Sequence, residues 1–87
     1  MLEFRTTERF EKNLKILPKE IKKKFYKQLN LLLSNVRHPS LHTKRIQGAN
    51  EIWEGRVDYK YRFTFNIYQG IIILRVIGNH DEVLKRP

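Results

Sequence analysis

The second half of the chain alternates between polar and apolar residues over three successive runs, and this alternation restricts the fold more than any other feature. The runs are Glu51–Val57, Tyr61–Tyr68 and Ile71–Gly78. Side chains along a β-strand point alternately to the two faces of a sheet, so each run predicts a strand. Asp58-Tyr59-Lys60 and Gln69-Gly70 supply short turns between the runs. The pattern therefore predicts an antiparallel β-meander.

The first half predicts a short strand followed by two amphipathic helices. Leu2 to Arg5 alternates, and Thr6-Thr7 can cap the first helix. Apolar residues then recur every three or four positions, which is the spacing of one helix face. They are Phe10, Leu14 and Leu17 in the first helix and Ile21, Phe25, Leu29, Leu32 and Val36 in the second. Pro18 separates the helices, and His38-Pro39 ends the second. Residues 39–50 are predicted to form a loop, with Gly48-Ala49-Asn50 as its turn.

These elements predict the α+β class, with an N-terminal strand and a helical hairpin packed on the antiparallel meander. A chain of 87 residues has room for one modest core, so we expect a single domain of residues 1–87. The chain has no cysteine, which excludes disulfides, cysteine nucleophiles and thiolate metal sites. It has no signal-peptide pattern and no apolar run near the roughly 20 residues that cross a bilayer. We expect a cytoplasmic protein with no membrane partner.

Positive charge dominates the composition. Eighteen Lys and Arg against nine Asp and Glu give a formal charge of +9. Such a charge on a small domain attracts polyanions and accelerates association with them. Charge alone does not choose among nucleic acid, the ribosome, an anionic membrane and an acidic protein as the partner.

The alternation also predicts which charged side chains share the sheet face that points away from the helices. The residues predicted to face the helices are Tyr61, Phe63, Phe65 and Ile67 in the middle run and Trp53, Gly55 and Val57 in the preceding run. Glu54, Arg56 and Arg62 then share the opposite face. The last run is apolar on both parities, and if Ile72, Leu74 and Val76 face the helices, Arg75 joins the polar set. His80 follows the last run, so we expect it at the end of this polar face.

Several short motifs, in this order, resemble the RelE/ParE superfamily of bacterial and archaeal toxin–antitoxin toxins. They are Lys44-Arg45-Ile46-Gln47-Gly48, Ile52-Trp53-Glu54-Gly55-Arg56-Val57, Tyr61-Arg62-Phe63-Thr64-Phe65 and Ile77-Gly78-Asn79-His80-Asp81. The resemblance implies a toxin that cleaves messenger RNA in the ribosomal A site and an acidic antitoxin protein that covers its active surface. It also implies that Arg62 holds the scissile phosphate, with Arg56 as a second basic residue and His80 at the end of the last strand. A catalytic lysine pair of one branch is replaced here by Glu54 and Arg56, and the C-terminal tyrosine of several members has no counterpart.

RNA can be cleaved without a metal or another cofactor when its own 2′-hydroxyl attacks the adjacent phosphorus. The site must then bind the phosphate and transfer two protons. We predict that Arg62 and Arg56 bind the phosphate, that His80 is a general acid or base, and that Glu54 is the second proton carrier. The residues predicted to contact nucleic acid, ribosomal RNA included, are Lys44, Arg45, Arg75, Lys22 and Lys23.

Simpler interpretations remain open for the same residues. His80 and Asp81 could form a solvated turn, and Glu54 could be a cross-strand partner of Arg62 or Arg56. The lysines at 22–24 could be a solvated helix face. His38 and His42 lack ligand partners at metal-site spacing and are predicted to be loop residues. Tyr68 is the aromatic side chain kept as a possible stacking group for a base.

Two other functions are compatible with the sequence. A ParE-like toxin on the same scaffold would inhibit DNA gyrase and would need neither Glu54 nor His80. A non-catalytic RNA- or ribosome-binding module would use only the basic residues, and its binding would fall steeply with salt.

Overall fold

The computed structural model describes residues 2–48 and 51–87. Within these residues the chain forms five strands, three α-helices and one short 3-10 helix. In chain order they are β1 (Glu3–Thr6), α1 (Glu8–Lys15), α2 (Lys19–Ser34), the 3-10 helix (Pro39–Leu41), β2 (Lys44–Arg45), β3 (Trp53–Arg56), β4 (Tyr61–Tyr68), β5 (Ile71–Asn79) and α3 (His80–Lys85).

One sheet carries all five strands in the order β1-β5-β4-β3-β2. The strands from β2 to β5 pair antiparallel, which confirms the predicted meander. The N-terminal strand β1 pairs in parallel with β5. Helices α1 and α2 follow β1 and cross the sheet to its opposite edge, where β2 begins the antiparallel part. The predicted α+β architecture, a strand and a helical hairpin on a meander, is confirmed.

The two long helices form where capping and apolar spacing predict them. Thr7 caps α1, and its Oγ1 accepts a hydrogen bond from the Phe10 backbone N–H at 3.0 Å. Of the predicted core stripe, Phe10, Ile21, Phe25, Leu29 and Leu32 are buried, whereas Leu14 and Leu17 are partly buried. The Phe25 ring packs edge-on against Phe63 at 5.5 Å between centroids. Val36 lies beyond the end of α2 and is only partly buried. No helix among the described residues is both long enough and apolar enough to cross a bilayer.

The predicted alternation holds through β3 and most of β4. Phe63 and Phe65 are fully buried beneath the helices, and Trp53 stacks on Phe65 at 6.4 Å. Gly55 leaves the space that the Phe63 ring fills, because a Cβ at Gly55 would lie 2.3 Å from Cζ of Phe63. Ile67, predicted to face the core, is 40 % exposed near the far end of β4.

Val76 does not share the helix-facing side of the sheet with Ile72 and Leu74, because a β-bulge interrupts β5. Thr64 pairs with Val76 but Phe65 pairs with Leu74, so Arg75 is an extra residue in the ladder. An extra residue reverses the alternation beyond it. Ile77 therefore joins the core under the helices, and Val76 is buried on the opposite face of the sheet.

The short helix α3, which the sequence analysis did not predict, covers part of that opposite face. Asn79 caps it, with Oδ1 accepting from the Glu82 N–H at 3.0 Å, and Val83 is buried beside Gly78. The predicted loop over residues 39–50 instead contains the 3-10 helix and β2. Of its predicted turn, Gly48 has the left-handed φ of 80° that suits glycine, whereas Ala49 and Asn50 lie outside the described residues.

Substitution of Gly55 tests the packing of the sheet against the helices. We expect Gly55→Ala to lower the free energy of unfolding by about 1–3 kcal/mol, because its methyl group collides with the buried Phe63 ring. Urea denaturation measures the change. Gly78→Ala is the matched control, since its Cβ would meet Val83 at an ordinary 3.5 Å and should cost little. Equal losses in the two variants would contradict this account.

Candidate functional site

A cavity of about 460 Å³ opens on the sheet face that points away from α1 and α2. Its lining residues are His42, Thr43, Lys44, Glu54, Arg56, Arg62 and His80. Strands β3 and β4 form the floor, the segment leading into β2 forms one wall, and the start of α3 forms the other. The structure thus brings together all four residues that the sequence predicts to be catalytic. We call this space the sheet cavity.

Arg62 is held rigidly at the floor of the sheet cavity. Its Nε donates to Oε1 of Glu54 at 3.1 Å, and its Nη1 donates to the carbonyl oxygens of Asp58 and Tyr59 at 2.6 Å each. The residue is only 7 % exposed. Its Nη2 has no hydrogen-bond partner among residues 2–48 and 51–87, so one donor edge of a fixed guanidinium remains unused.

Glu54 is a cross-strand partner of Arg62, the contact that the simpler interpretation of this residue predicts. Its side chain is 4 % exposed and lies diagonally across from Arg62, while Thr64 stands directly opposite. Its second oxygen, Oε2, is buried without a hydrogen bond to any described residue, and Nζ of Lys44 lies 3.9 Å from it. The carboxylate therefore orients Arg62 through Oε1, while Oε2 remains available as an acceptor on the side of Lys44.

Arg56 adds a second guanidinium directly opposite the first. Arg56 and Arg62 are register partners on β3 and β4, and like charges in directly opposed positions destabilise a sheet. Nε of Arg56 is buried, and no described residue accepts its hydrogen. The lining of the sheet cavity thus contains one carboxylate, that of Glu54, and three cations, which are Lys44, Arg56 and Arg62. Such an arrangement favours a bound anion that accepts several hydrogen bonds.

His80 is the first residue of α3 and forms the wall of the sheet cavity next to β5. Its backbone N–H donates to the carbonyl of Lys60 at 2.9 Å, which ties α3 to the turn between β3 and β4. Its Nδ1 lies 3.3 Å from Oδ1 of Asp81, the local contact that the simpler interpretation of this pair predicts. The imidazole also lines a neighbouring cavity of about 450 Å³ together with Tyr59 and Arg62. His80 therefore both contacts Asp81 and faces the arginines.

His42, which the sequence analysis treated as a plain loop residue, lines the opposite wall of the sheet cavity. It follows the 3-10 helix in a left-handed conformation, with φ 47° and ψ 43°. No periodicity marks it, because its position depends on contacts that are distant in sequence. Across the described residues, no three His, Asp or Glu side chains come together in a way that could hold a metal ion.

Gln28 is a second residue near the sheet cavity that the sequence does not single out. It is a buried polar residue of α2, and its Nε2 donates to the carbonyl oxygens of Ser40 at 3.2 Å and Arg56 at 2.9 Å. One amide therefore joins the helix layer, the 3-10 helix before His42 and the strand that carries Arg56. A glutamine on the apolar stripe of α2 is the only sequence signal for this role.

Of the residues predicted to contact nucleic acid, only Lys44 lines the sheet cavity. Arg45 pairs with Trp53 on the other face, and its guanidinium lies 5.3 Å from the centroid of the Trp53 ring. Lys22 lines a separate cleft between α1 and α2, and Lys23 is exposed on α2, in the helix layer. Strand parity and the helix layer therefore place Arg45, Lys22 and Lys23 away from the sheet cavity, and their contact with nucleic acid stays a prediction.

Arg75 lies on the predicted face but outside the sheet cavity. Its Nε donates to the carbonyl of Pro87 at 3.2 Å, and its Nη1 lies 3.4 Å from Oδ1 of Asn66. Partial burial, followed by the charges of Arg86 and Arg75, lowers the pKa of Arg9. These three arginines form a second basic group, near the Pro87 end of the face.

Tyr59 replaces Tyr68 as the exposed aromatic residue beside the site. Tyr68 is 63 % exposed but pairs with Ile71, seven residues along β4 from Tyr61, which is roughly 23 Å at the usual rise of a strand. Tyr59 is 83 % exposed and lines the neighbouring cavity with His80. Parity identifies a face but not a position along it, so the structure places Tyr59 rather than Tyr68 beside the site, and base stacking by Tyr68 stays an untested prediction.

Asp58 shapes the turn whose carbonyl groups hold Arg62. Its Oδ1 accepts the backbone N–H groups of Lys60 and Tyr61 at 2.9 Å, and Oδ2 accepts from Nζ of Lys24 at 3.1 Å. Burial alone would raise the pKa of Asp58, but the hydrogen bonds from Tyr61, Lys24 and Lys60 outweigh it. The pKa is therefore lowered from its ordinary value of 3.8.

Comparison with solved structures identifies the architecture. YafQ from E. coli strain BL21(DE3) superposes with a TM-score of 0.78 at 14 % identity, covering 94 % of this chain and 97 % of YafQ. RelE in the RelB–RelE antitoxin–toxin complex from Methanococcus jannaschii superposes with a TM-score of 0.76 at 23 % identity, covering 94 % and 98 %. The chain has the RelE/ParE toxin fold. A YoeB/ParE toxin from Agrobacterium tumefaciens shares this fold with a TM-score of 0.80 at 9 % identity, covering 91 % and 99 %. No protein-family model and no curated protein sequence matches the chain.

The Glu54–Arg62 ion pair makes a testable contribution to the stability of this RelE/ParE fold. We expect Glu54→Ala to lower the free energy of unfolding by about 3–5 kcal/mol, because it leaves a buried guanidinium without its counter-charge. Urea denaturation measures the loss. The double variant Glu54→Leu/Arg62→Met should recover most of it, since it removes both charges and keeps apolar volume. A double variant as unstable as the single one would contradict the ion-pair explanation.

The lowered pKa of Asp58 predicts a pH dependence of the stability of the RelE/ParE fold. The ionised carboxylate stabilises the folded state, so this contribution is complete above the ordinary value of 3.8 and is lost as the pH falls through the lower folded-state value. We expect the urea midpoint of the wild type to fall more steeply below about pH 4 than that of Asp58→Asn, which keeps an acceptor for the turn but carries no charge. Asp81→Asn is the control, because it removes a charge from a side chain that is 90 % exposed. Identical slopes for the wild type and Asp58→Asn would refute the prediction.

Proposed function

We propose that this chain is the toxin of a toxin–antitoxin pair and that it cleaves messenger RNA in the ribosomal A site as a metal-independent endoribonuclease. The observation that carries the proposal is the sheet cavity itself, where two adjacent guanidiniums with unused donors lie between imidazole-bearing walls. A phosphodiester is the anion whose binding and cleavage use both kinds of group.

Phosphate binding falls to the two arginines. Arg62 is oriented by Glu54 and two carbonyl groups, so it needs no rearrangement to present Nη2. Arg56 offers its buried Nε beside it. Donors fixed before the substrate arrives stabilise charge that develops on phosphorus more effectively than mobile donors do. Lys44 extends this positive surface to the edge of the sheet cavity, where it would meet the RNA backbone.

Proton transfer falls to His80. The 2′-oxygen of the ribose attacks phosphorus, the bond from phosphorus to the 5′-oxygen breaks, and the products carry a 2′,3′-cyclic phosphate and a 5′-hydroxyl. One group must accept the 2′ proton and another must give a proton to the departing 5′-oxygen. An imidazole performs either transfer near neutral pH. Glu54, the second proton carrier predicted from the sequence, is bound to Arg62 and serves as a positioning residue in this scheme.

An acidic antitoxin is the protein partner we propose. The chain carries a net charge of +9, and its sheet cavity holds three cations to one carboxylate, so an acidic segment across this face would neutralise it. RelE with this fold occurs with RelB in an antitoxin–toxin complex.

The proposal is tested by primer extension on a message translated in a cell-free extract. We expect the wild type to cut the message, and we expect His80→Gln to lose at least about 100-fold in cleavage rate while remaining folded, because general acid–base groups commonly contribute that much. His38→Asn is the matched control. It removes an imidazole outside the sheet cavity and keeps an acceptor for the cap of the 3-10 helix.

Other outcomes separate the alternatives. Growth arrest without a cut message, with DNA replication stopping before protein synthesis, would replace the nuclease with a ParE-like inhibitor of gyrase. Salt-sensitive binding to ribosomes without cleavage would leave only a binding module. Full cleavage by His80→Gln would remove His80 from the mechanism.

A further inference from the structure

We propose that His42 is a second catalytic residue of the sheet cavity, so that His42 and His80 form the acid–base pair. The inference rests on the proposed cleavage of RNA and assigns the proton carrier that Glu54 cannot supply. It concerns a residue to which strand parity and family resemblance give no role.

The placement of the two imidazoles matches the geometry of the reaction. The nucleophile and the leaving oxygen stand roughly in line on opposite sides of phosphorus, so the base and the acid must flank the phosphate. His42 belongs to the wall next to β2, and His80 belongs to the wall next to β5. Arg56 and Arg62 lie between them on the floor. A phosphate bound to the arginines would have one imidazole on each side.

Glu54 is poorly placed for the same task. Its side chain is 4 % exposed, and its Oε1 already accepts from Nε of Arg62 at 3.1 Å. A proton arriving on this carboxyl group would weaken the contact that orients the phosphate-binding arginine. His42 and His80 are more exposed, and neither is bonded to Arg56 or Arg62. A proton on either ring would therefore leave the orientation of the arginines unchanged.

The backbone around His42 is fixed by neighbouring contacts. Leu41 is fully buried, the N–H of His42 donates to the carbonyl of Pro39 at 3.2 Å, and the hydroxyl of Thr43 donates to the carbonyl of Val36 at 3.0 Å. The imidazole of His42 itself forms no hydrogen bond with any described residue. By contrast, Nδ1 of His38 accepts from the backbone N–H of Ser40 at 3.2 Å. The segment thus fixes the backbone at His42, while the ring has no hydrogen bond to any described residue.

The proton balance of the step is simple with this pair. One neutral imidazole takes the proton of the 2′-hydroxyl as the bond from the 2′-oxygen to phosphorus forms. The other, as imidazolium, gives its proton to the 5′-oxygen as the bond from that oxygen to phosphorus breaks. The two rings exchange protonation states, and transfer through water restores them before the next turnover.

Single-turnover cleavage of a message in programmed ribosomes, measured from about pH 5 to 9, tests the pair. The wild type should show a bell-shaped pH profile that reports one acid and one base. We expect His42→Gln and His80→Gln each to slow cleavage by about 100-fold or more, with ribosome binding unchanged, and to lose opposite limbs of the profile. Glu54→Gln should keep both limbs, and His38→Asn should match the wild type.

A message with sulfur in place of the 5′-oxygen at the cleavage site sharpens the assignment. Thiolate leaves without being protonated, so this substrate should restore cleavage to whichever histidine variant lacks the acid and not to the other. The inference is overturned if His42→Gln keeps the wild-type rate, or is slower with both limbs intact, which would indicate a structural role. It is also overturned if Glu54→Gln loses a limb, or if sulfur rescues both variants or neither. If the wild-type protein cuts no message, the proposed function itself is wrong, and this result is distinguishable from failure of the His42 assignment alone.

Discussion

The contact on which the site depends is the buried ion pair between Glu54 and Arg62. A guanidinium that is 7 % exposed in a small domain is tolerated only when its charge and its donors are satisfied. Glu54 supplies the charge, and the turn held by Asp58 supplies two carbonyl groups. This arrangement uses the donors on one side of Arg62 and leaves the other side available beside Arg56. Stability and readiness to bind an anion therefore come from the same contact.

Much of this arrangement follows from rules that operate over a few residues. The spacing from Phe10 to Leu32 defines the helix faces, and Thr7 and Pro18 define helix ends. Strict alternation along β3 and β4 places Glu54, Arg56 and Arg62 on one face, because each side chain in a strand follows from the one before it. The fold and the floor of the sheet cavity could therefore be predicted from sequence.

The rest depends on contacts that join distant parts of the chain. The bulge at Arg75 reverses the alternation, so Val76 and Ile77 exchange the faces that parity predicts. Helix α3 is too short to show a convincing period, and β2 has only two residues. His42 reaches the sheet cavity because Leu41 is buried and Gln28 holds the carbonyl of Ser40. No local pattern contains that information, so both walls of the sheet cavity were harder to predict than its floor.

The parallel pairing of β1 with β5 has a consequence for how the protein forms during its own synthesis. Glu3 pairs with Ile71, so β1 leaves the ribosome well before its partner and stays unpaired until β5 has followed. A nascent chain that stops before His80 also lacks one wall of the sheet cavity. Long-range pairing of this kind folds late. A partly translated chain thus lacks both the pairing that completes the sheet and one wall of the site, so neither can act before synthesis has passed β5 and the start of α3.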